Sequence, residues 1–377
     1  MTKIKKLDDL LVELKIIEVN IKNAIQSYIN YKYLKINNSS YSLFFLYVER
    51  EKIIASITSN INKINDIEIS NYVHEQINFI DREVFNCIDK SRFLNQFEVN
   101  PTIFLKTWGG LGDCLLLTPG IRIIKRKYPS KKIKVYCENE LHYQLLFNNR
   151  NIDEFIDSKT YDENQDVFFE ANYSELLPSL FFKKRASEII GFMLLQECKD
   201  DKLDLLLTDD EKDFGKLELA NYKTPVCINP SSTCSKNQEW DLNNWKELVS
   251  INNNIDFIQI GKKDEQFIRG CKDYRGISLR ECIAILGASK AFIGVDSFWN
   301  HAAHALGIKS IILFGDSSPT IWGHENNVIL YKNYKCSPCI DILFGRVCPY
   351  NNRCMNDITV DEVDVQFKKM INELTSK

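Results

Sequence analysis

The chain has 377 residues, beyond the usual reach of one hydrophobic core, so two or three domains are expected. Hydrophobic residues make up 44% and charged residues 26%, which places it among soluble globular chains rather than disordered ones. A net charge of -3 argues against an electrostatic nucleic-acid binder, and no apolar run reaches the roughly 18 residues a membrane span needs.

Lys3, Lys5 and Lys6 open the chain, but Asp8, Asp9 and Glu13 interrupt any signal-like apolar core. The expected compartment is the cytoplasm, where the 12 cysteines stay reduced. Residues 1–98 differ in pattern from the rest of the chain. Leu7, Leu10, Leu11, Leu14, Ile17 and Ile21 recur at helical spacing and predict a long amphipathic helix starting near Leu7. Residues 41–58 fit a hairpin or a helix equally, and 70–95 are helical in pattern. This stretch reads as a separate N-terminal domain, mostly helical or mixed.

From Pro101 short β-rich runs alternate with helical ones. Strands are predicted at Thr102–Lys106, Lys132–Cys137, Asp153–Ile156, Asp166–Glu170 and Leu203–Leu207. A second series occupies Pro225–Asn229, Asp256–Ile260, Ala291–Asp296 and Ser310–Phe314, with helices between, such as Trp245–Ile251 and Leu279–Leu286. Such alternation implies parallel sheets. Two series meeting near residue 222 imply two Rossmann-like α/β lobes, 99–222 and 223–377, with a cleft between them.

Ligands of open parallel sheets bind beyond the carboxyl ends of the strands, which points to four loops. In Thr107-Trp108-Gly109-Gly110-Leu111-Gly112-Asp113 the glycines permit a sharp turn and close approach of a ligand to the backbone. Asp113 stands where a helix begins, and from this loop alone an N-cap and a functional carboxylate are both open. The loop lacks the Lys of a phosphate-binding P-loop. Ser231-Ser232-Thr233-Cys234-Ser235-Lys236 offers hydroxyls and one cation to phosphate oxygens, or is a solvated polar turn. Gly261–Glu265 brings a glycine and a carboxylate to the same edge. Asp296-Ser297-Phe298-Trp299-Asn300-His301 opens an Ala-rich helix whose N-terminus suits a pyrophosphate; its bland reading is redundant capping by Asp296 and Ser297 with His301 at the surface.

Cys336, Cys339, Cys348 and Cys354 cluster within 19 positions, while the other eight cysteines are scattered. Their spacing suits a closed, structural four-thiolate site for zinc or iron, and Pro338 and Pro349 fit a knuckle-like loop. Free thiols are the alternative.

The stretch from Gly112 through Asp113, Thr118, Pro119 and Gly120 to Arg122 resembles the first signature of glycosyltransferase family 9, the bacterial heptosyltransferases. Gly294-Val295-Asp296-Ser297, His301 to Gly307 and Leu313-Phe314-Gly315 resemble its second, in the right order and separation. The likeness covers about 100–375. It implies a GT-B fold with an acceptor lobe and a donor lobe, and inverting transfer of a sugar, typically heptose from ADP-heptose, to a hydroxyl of a protein or glycan. Lipopolysaccharide heptosyltransferases are its best-known members. A second branch, which glycosylates autotransporter proteins and carries an extra N-terminal domain and a four-cysteine iron-binding finger, is similar to this chain.

By motif position the resemblance implies Asp113 as catalytic base, with Gly110 and Gly112 beside the donor. Ser231, Ser232, Thr233 and Lys236 would hold donor phosphate. Gly261 and Glu265 would face the ribose, and Asp296, Ser297 and His301 the diphosphate-sugar. Two positions depart from the family pattern: Lys236 stands four residues before Trp240 rather than two, and Phe298 stands where Gly usually follows the Asp-Ser pair. Rival readings are use of another sugar nucleotide, such as a UDP-sugar, and a silent sugar-nucleotide-binding scaffold. The implied partners are a sugar nucleotide and an acceptor protein or glycan. Residues 1–98 would recognise the acceptor or mediate self-association into a homo-oligomer.

Overall fold

A computed structural model describes residues 101–156, 168–170, 185–193, 198, 202–334, 336–339 and 348–375. The helices expected from near Leu7 and over 70–95, and the segment 41–58, lie outside these residues. The chain divides into two compact units, 1–100 with 173–181 and 101–172 with 182–377; every described residue belongs to the second.

That unit contains two parallel sheets. The first comprises β1 (Thr102–Lys106), β2 (Lys132–Tyr136), β3 (Glu154–Ile156) and β4 (Phe168–Glu170), in the order β3-β2-β1-β4. Its helices are α1 (Leu111–Leu116), α2 (Thr118–Lys127), α3 (Glu140–Leu146) and α4 (Ala186–Met193), and α5 (Asp209–Leu219) leads onward. The second sheet comprises β5 (Pro225–Asn229), β6 (Asp256–Gly261), β7 (Lys272–Arg275), β8 (Ala291–Val295), β9 (Ser310–Phe314) and β10 (Val328–Tyr331), in the order β10-β9-β8-β5-β6-β7. Around it lie α6 (Leu242–Ile251), α7 (Leu279–Ala288), α8 (Phe298–Ala305), α9 (Pro319–Trp322), α10 (Arg353–Asn356) and α11 (Val360–Thr375).

The central strands β5, β8 and β9 are buried along their whole length, which is why PVCIN, AFIGV and SIILF show no polar alternation. One face of this sheet packs Val226, Ile293 and Leu313 against Trp245 of α6 and Phe367 of α11. Two strands escaped the sequence reading. They are the edge strands: β7, with the sequence KDYR, lacks an apolar run because an edge strand needs none, whereas β10, with the sequence VILY, is a four-residue apolar run that the reading passed over.

The predicted strand Leu203–Leu207 is a correction. Leu203 and Leu205 are buried, as the alternation suggested, yet no strand among the described residues pairs with the segment. Side chains take its backbone instead. Asp204 N donates to Thr118 Oγ1 at 2.9 Å, Lys202 O accepts from Arg122 Nη2 at 2.6 Å, and Leu206 O accepts from Arg280 Nη2 at 2.8 Å.

Both sheets reverse direction at a central strand. β1 lies between β2 and β4, and β5 lies between β6 and β8, so the loops after β1, β5 and β8 flank the switch points where ligands bind. The two halves are held together behind these loops by Arg280. Its guanidinium donates to both Glu211 carboxylate oxygens at 2.6 and 2.5 Å and to Gln144 O at 3.3 Å, and covers the Phe147 ring at 4.9 Å. Glu211 also closes the capping box of α5 by accepting from Thr208 N at 2.7 Å. One side chain thus joins α3 of the first half, the 202–208 segment, α5 and α7. Removing one partner of such a shielded, hydrogen-bonded pair typically costs about 3 kcal/mol or more. We expect Arg280→Ala to lower the melting temperature by several degrees, and Arg280→Lys to recover little of it, because an ammonium cannot reproduce the fork. A wild-type melting curve for Arg280→Ala would count against the clamp.

Candidate active site

The loop after β1 is braced from below. Buried His142 of α3 places Nδ1 2.8 Å from Thr107 Oγ1, which also accepts from Glu138 N at 3.0 Å. Gly109 has φ +77°, and a Cβ there would lie 2.5 Å from Asp113 Oδ2, so no other residue fits. Helix α1 begins at Leu111 with Gly110 as its N-cap. Asp113 is therefore the third helical residue and not the cap considered from sequence; the helix starts earlier because the glycines turn the chain sooner. Its Oδ2 instead accepts from Gly110 N at 2.7 Å.

In the loop after β5, Ser232 and Ser235 are buried, Ser231 is half-buried, and Thr233, Cys234 and Lys236 are exposed. Ser232 donates to Gln238 through its hydroxyl, and Ser235 donates to Asp316 Oδ2 at 2.8 Å. Lys236 starts a short 3₁₀ turn (Lys236–Gln238), and its Nζ pairs with Glu239 at 2.8 and 3.0 Å with the side chain 84% exposed. The cation expected at phosphate is engaged by its own neighbour.

After β8 the carboxyl of Asp296 is buried. Burial raises it to about 7; hydrogen bonds from Ser317 and Asn300 oppose the shift, and the carboxylates of Asp316 and Asp113 reinforce it. Ser297 is the N-cap of α8, yet its buried hydroxyl caps nothing and has no hydrogen-bond partner among the described residues. His301 is buried rather than at the surface, with Nδ1 2.9 Å from His324 Nε2. A Cβ on Gly112 would lie 2.9 Å from His301 Cδ2, so the first turns of α1 and α8 meet here.

Three loops thus converge. Cys234 is open to solvent but crowded by its concave surroundings; desolvation there pushes its thiol up to about 11, and the carboxylates of Asp296, Asp113 and Asp316 add to the shift. Sequence reasoning missed Asp316 and Ser317, although they follow β9 at the same sheet edge and the strand-end rule reaches them. It also missed Asn229 and His324. Asn229 ends β5 and ties two loops, accepting from Ser231 N at 3.3 Å and donating to Glu265 Oε2 at 2.9 Å. Glu265 folds back on the end of β6, where a Cβ on Gly261 (φ +134°) would lie 2.3 Å from it; burial raises its carboxyl.

Cys336, Cys339 and Cys348 are half-buried and Cys354 is buried, and none of the four is in a disulfide. They share one corner: Cys354, Cys339 and Cys336 all act on the Tyr331 hydroxyl, and Cys348 acts on Cys354. The donor set suits a thiophilic ion, but no three His, Cys, Asp or Glu side chains among the described residues stand in a metal-holding group. The cysteine loop is tied to the site, since Cys339 N donates to Asp316 O at 2.9 Å.

Residues 131–344, more than half of the chain, match the family model of glycosyltransferase family 9 (heptosyltransferase). The chain belongs to glycosyltransferase family 9. It is a glycosyltransferase enzyme of heptosyltransferase type. Among curated proteins, none matches its sequence. Solved family 9 structures share its fold. TibC of enterotoxigenic E. coli, an iron-containing dodecameric glycosyltransferase, is similar at 17% identity and TM-score 0.59, over 72% of this chain and 76% of that one. ADP-heptose lipopolysaccharide heptosyltransferase II of E. coli is similar at 14% identity and TM-score 0.54, over 72% and 99%. TibC in complex with ADP-D-β-D-heptose is similar at 17% identity and TM-score 0.57, over 72% and 77%. The family 9 architecture is thus the GT-B type, with two Rossmann-like lobes. No helix among the described residues is long and apolar enough to cross a membrane.

The state of Asp296 can be read from stability. An unfolded Asp titrates near 4, and the folded carboxyl near 7. Charge at Asp296 therefore opposes folding increasingly between these values and fully above the upper one. Asp296→Asn removes that opposition. Its stability relative to wild type should rise from pH 4 to pH 8, by at least about 1 kcal/mol. A difference that stays flat over this range would place the folded carboxyl near its ordinary value.

Proposed function

We propose that the enzyme transfers heptose from ADP-heptose, with inversion, to a hydroxyl of a protein or glycan acceptor. The observation that carries this reading is the meeting of Asp113, in the first turn of α1 beyond β1, with the Asp296–His301 segment after β8. Residues 99–222 serve as acceptor lobe and 223–377 as donor lobe, so the base of one faces the leaving group of the other. Asp113 takes the acceptor hydroxyl proton as that oxygen attacks the anomeric carbon. The bond to ADP breaks on the opposite face, and its electron pair goes to the β-phosphate oxygen.

Charge then develops on the phosphate. Ser297, with its uncommitted buried hydroxyl, the N-terminus of α8, His301 and the Ser231–Ser235 loop are the donors placed to receive it. Lys236 joins them only by leaving Glu239. Glu265, with Gly261 beside it, takes the ribose. Residues 1–98 serve acceptor recognition or self-association; the dodecameric TibC supports an oligomeric reading.

Asp113→Asn tests the base. Asn retains an oxygen for Gly110 N, so the helix start and ADP affinity should persist while ADP release from ADP-heptose in acceptor-containing extract falls about 10²–10⁴-fold. Near-wild-type turnover would leave Asp113 with a structural role alone.

Cys336, Cys339, Cys348 and Cys354 are proposed to hold one structural zinc or iron, a reading supported by their shared corner and by the iron-containing TibC. Elemental analysis of the full chain should find about one such ion per chain, with chelation lowering the melting temperature. Metal-free protein with four freely titrating thiols and an unaltered melting curve would refute this.

A further inference from the structure

Three histidines form a stack behind the loop after β8. His301 lies in the first turn of α8, His304 one turn later, and His324 just after α9. The His301 and His324 rings are nearly perpendicular, at 88°, with His301 Nδ1 2.9 Å from His324 Nε2. His304 stacks flat on His324, with centroids 3.9 Å apart and 4° between planes. His301 and His324 are both at most 4% exposed.

Two neutral rings at this distance share one hydrogen bond, and which ring donates decides what His301 shows to the site. Burial keeps both neutral; it pushes the His301 imidazolium down to about 3, and His324 is lowered further by burial, by the other two histidines and by Arg185. If His301 donated from Nδ1, His324 would carry its own proton on Nδ1. That nitrogen is buried and has no hydrogen-bond partner among the described residues. A buried N–H without an acceptor is a rarer and costlier defect than a lone pair without a donor. The proton therefore sits on His324 Nε2 and points at His301 Nδ1. His301 then carries its own proton on Nε2, along the ring edge that faces Gly112.

We propose that His324 is a positioning residue, whose Nε2–H bond to His301 Nδ1 fixes His301 as an Nε2–H donor toward the anionic ligand of the site. The ligand class, a nucleoside diphosphate, rests on the functional reading above; the tautomer does not. Without His324 the His301 ring is free to exchange tautomers, and half of its function is lost: an Nδ1–H form presents a lone pair to phosphate and repels it. Packing alone predicts no such sensitivity, because α8 and the Gly112 side of the ring would still hold it in place.

The test uses full-length protein with ¹⁵N-labelled histidine. In wild type the His301 signals should show a protonated Nε2 and an unprotonated Nδ1. In His324→Ala the two forms should mix, and ADP affinity should fall about twofold when they are equally populated. His324→Gln, whose amide can donate from a similar place, should restore both the Nε2–H form and most of the affinity. A protonated Nδ1 in wild type overturns the proposal, as does an Nε2–H signal that is unchanged in His324→Ala. His301→Ala separates the two readings: unchanged ADP affinity in that variant defeats the donor role of His301, whatever the tautomer.

Discussion

How closely α1 approaches α8 governs the site, and Gly112 sets that distance. A single Cβ there would press against the His301 ring at 2.9 Å and stand 3.8 Å from the Phe298 backbone. With glycine the two helix starts touch, and the carboxyl ends of β1 and β8 come to face each other across the two sheets. Asp113 and Asp296 sense one another only because of this contact. Gly109 acts one step earlier, turning the chain so that the Asp113 carboxylate can reach the N–H of Gly110. On the far side Arg280 keeps the halves from drifting apart, while the Arg122–Asp204 pair pins the 202–208 segment onto α2 within the first half.

The electrostatics of this arrangement need explaining, because the proposed donor is an anion and the site gathers Asp113, Asp296 and Asp316. Part of the answer is protonation. A carboxyl raised to about 7 is largely neutral at slightly acid pH and half neutral at 7, so Asp296 repels phosphate less than a full carboxylate would. The rest is direction. Asp316 is occupied by Ser235, and Asp113 by Gly110, whereas the Ser297 hydroxyl, the α8 N-terminus and the His301 Nε2 edge are donors rather than charges. Donors fixed in a partly desolvated site stabilise developing phosphate charge without a counter-ion.

Much of this was legible in sequence. The β5, β8 and β9 runs could hardly be anything but doubly buried strands, and their carboxyl ends named the right loops. The Gly-rich turn located Asp113, though the helix start was placed too late because a glycine N-cap leaves no side-chain signal. Leu203–Leu207 misled because alternation reports burial, not pairing, and side chains from Thr118, Arg122 and Arg280 took the place of a neighbouring strand. β7 carried no apolar signal because an edge strand needs none, while β10 carried one, VILY, in only four residues. His324 could not be assigned at all: it acts through a contact with a residue more than 20 positions away, and nothing in local spacing announces such a partner. Asn229 and Asp316 were the avoidable omissions, since Asn229 ends the predicted strand Pro225–Asn229 and Asp316 lies two residues past Ser310–Phe314.

The central claim is that the loops after β5, β6 and β8 form a site for an adenosine diphosphate sugar. Calorimetric titration of the full-length protein with ADP, UDP and GDP tests it most directly. The account predicts one ADP site per chain, weaker or absent binding of UDP and GDP, and loss of ADP affinity on Ser297→Val, which removes the uncommitted hydroxyl. At ADP concentrations 100 times its dissociation constant the apparent stability should rise by about 2.7 kcal/mol. No binding of any of the three nucleotides, or ADP binding indifferent to Ser297→Val, would contradict it.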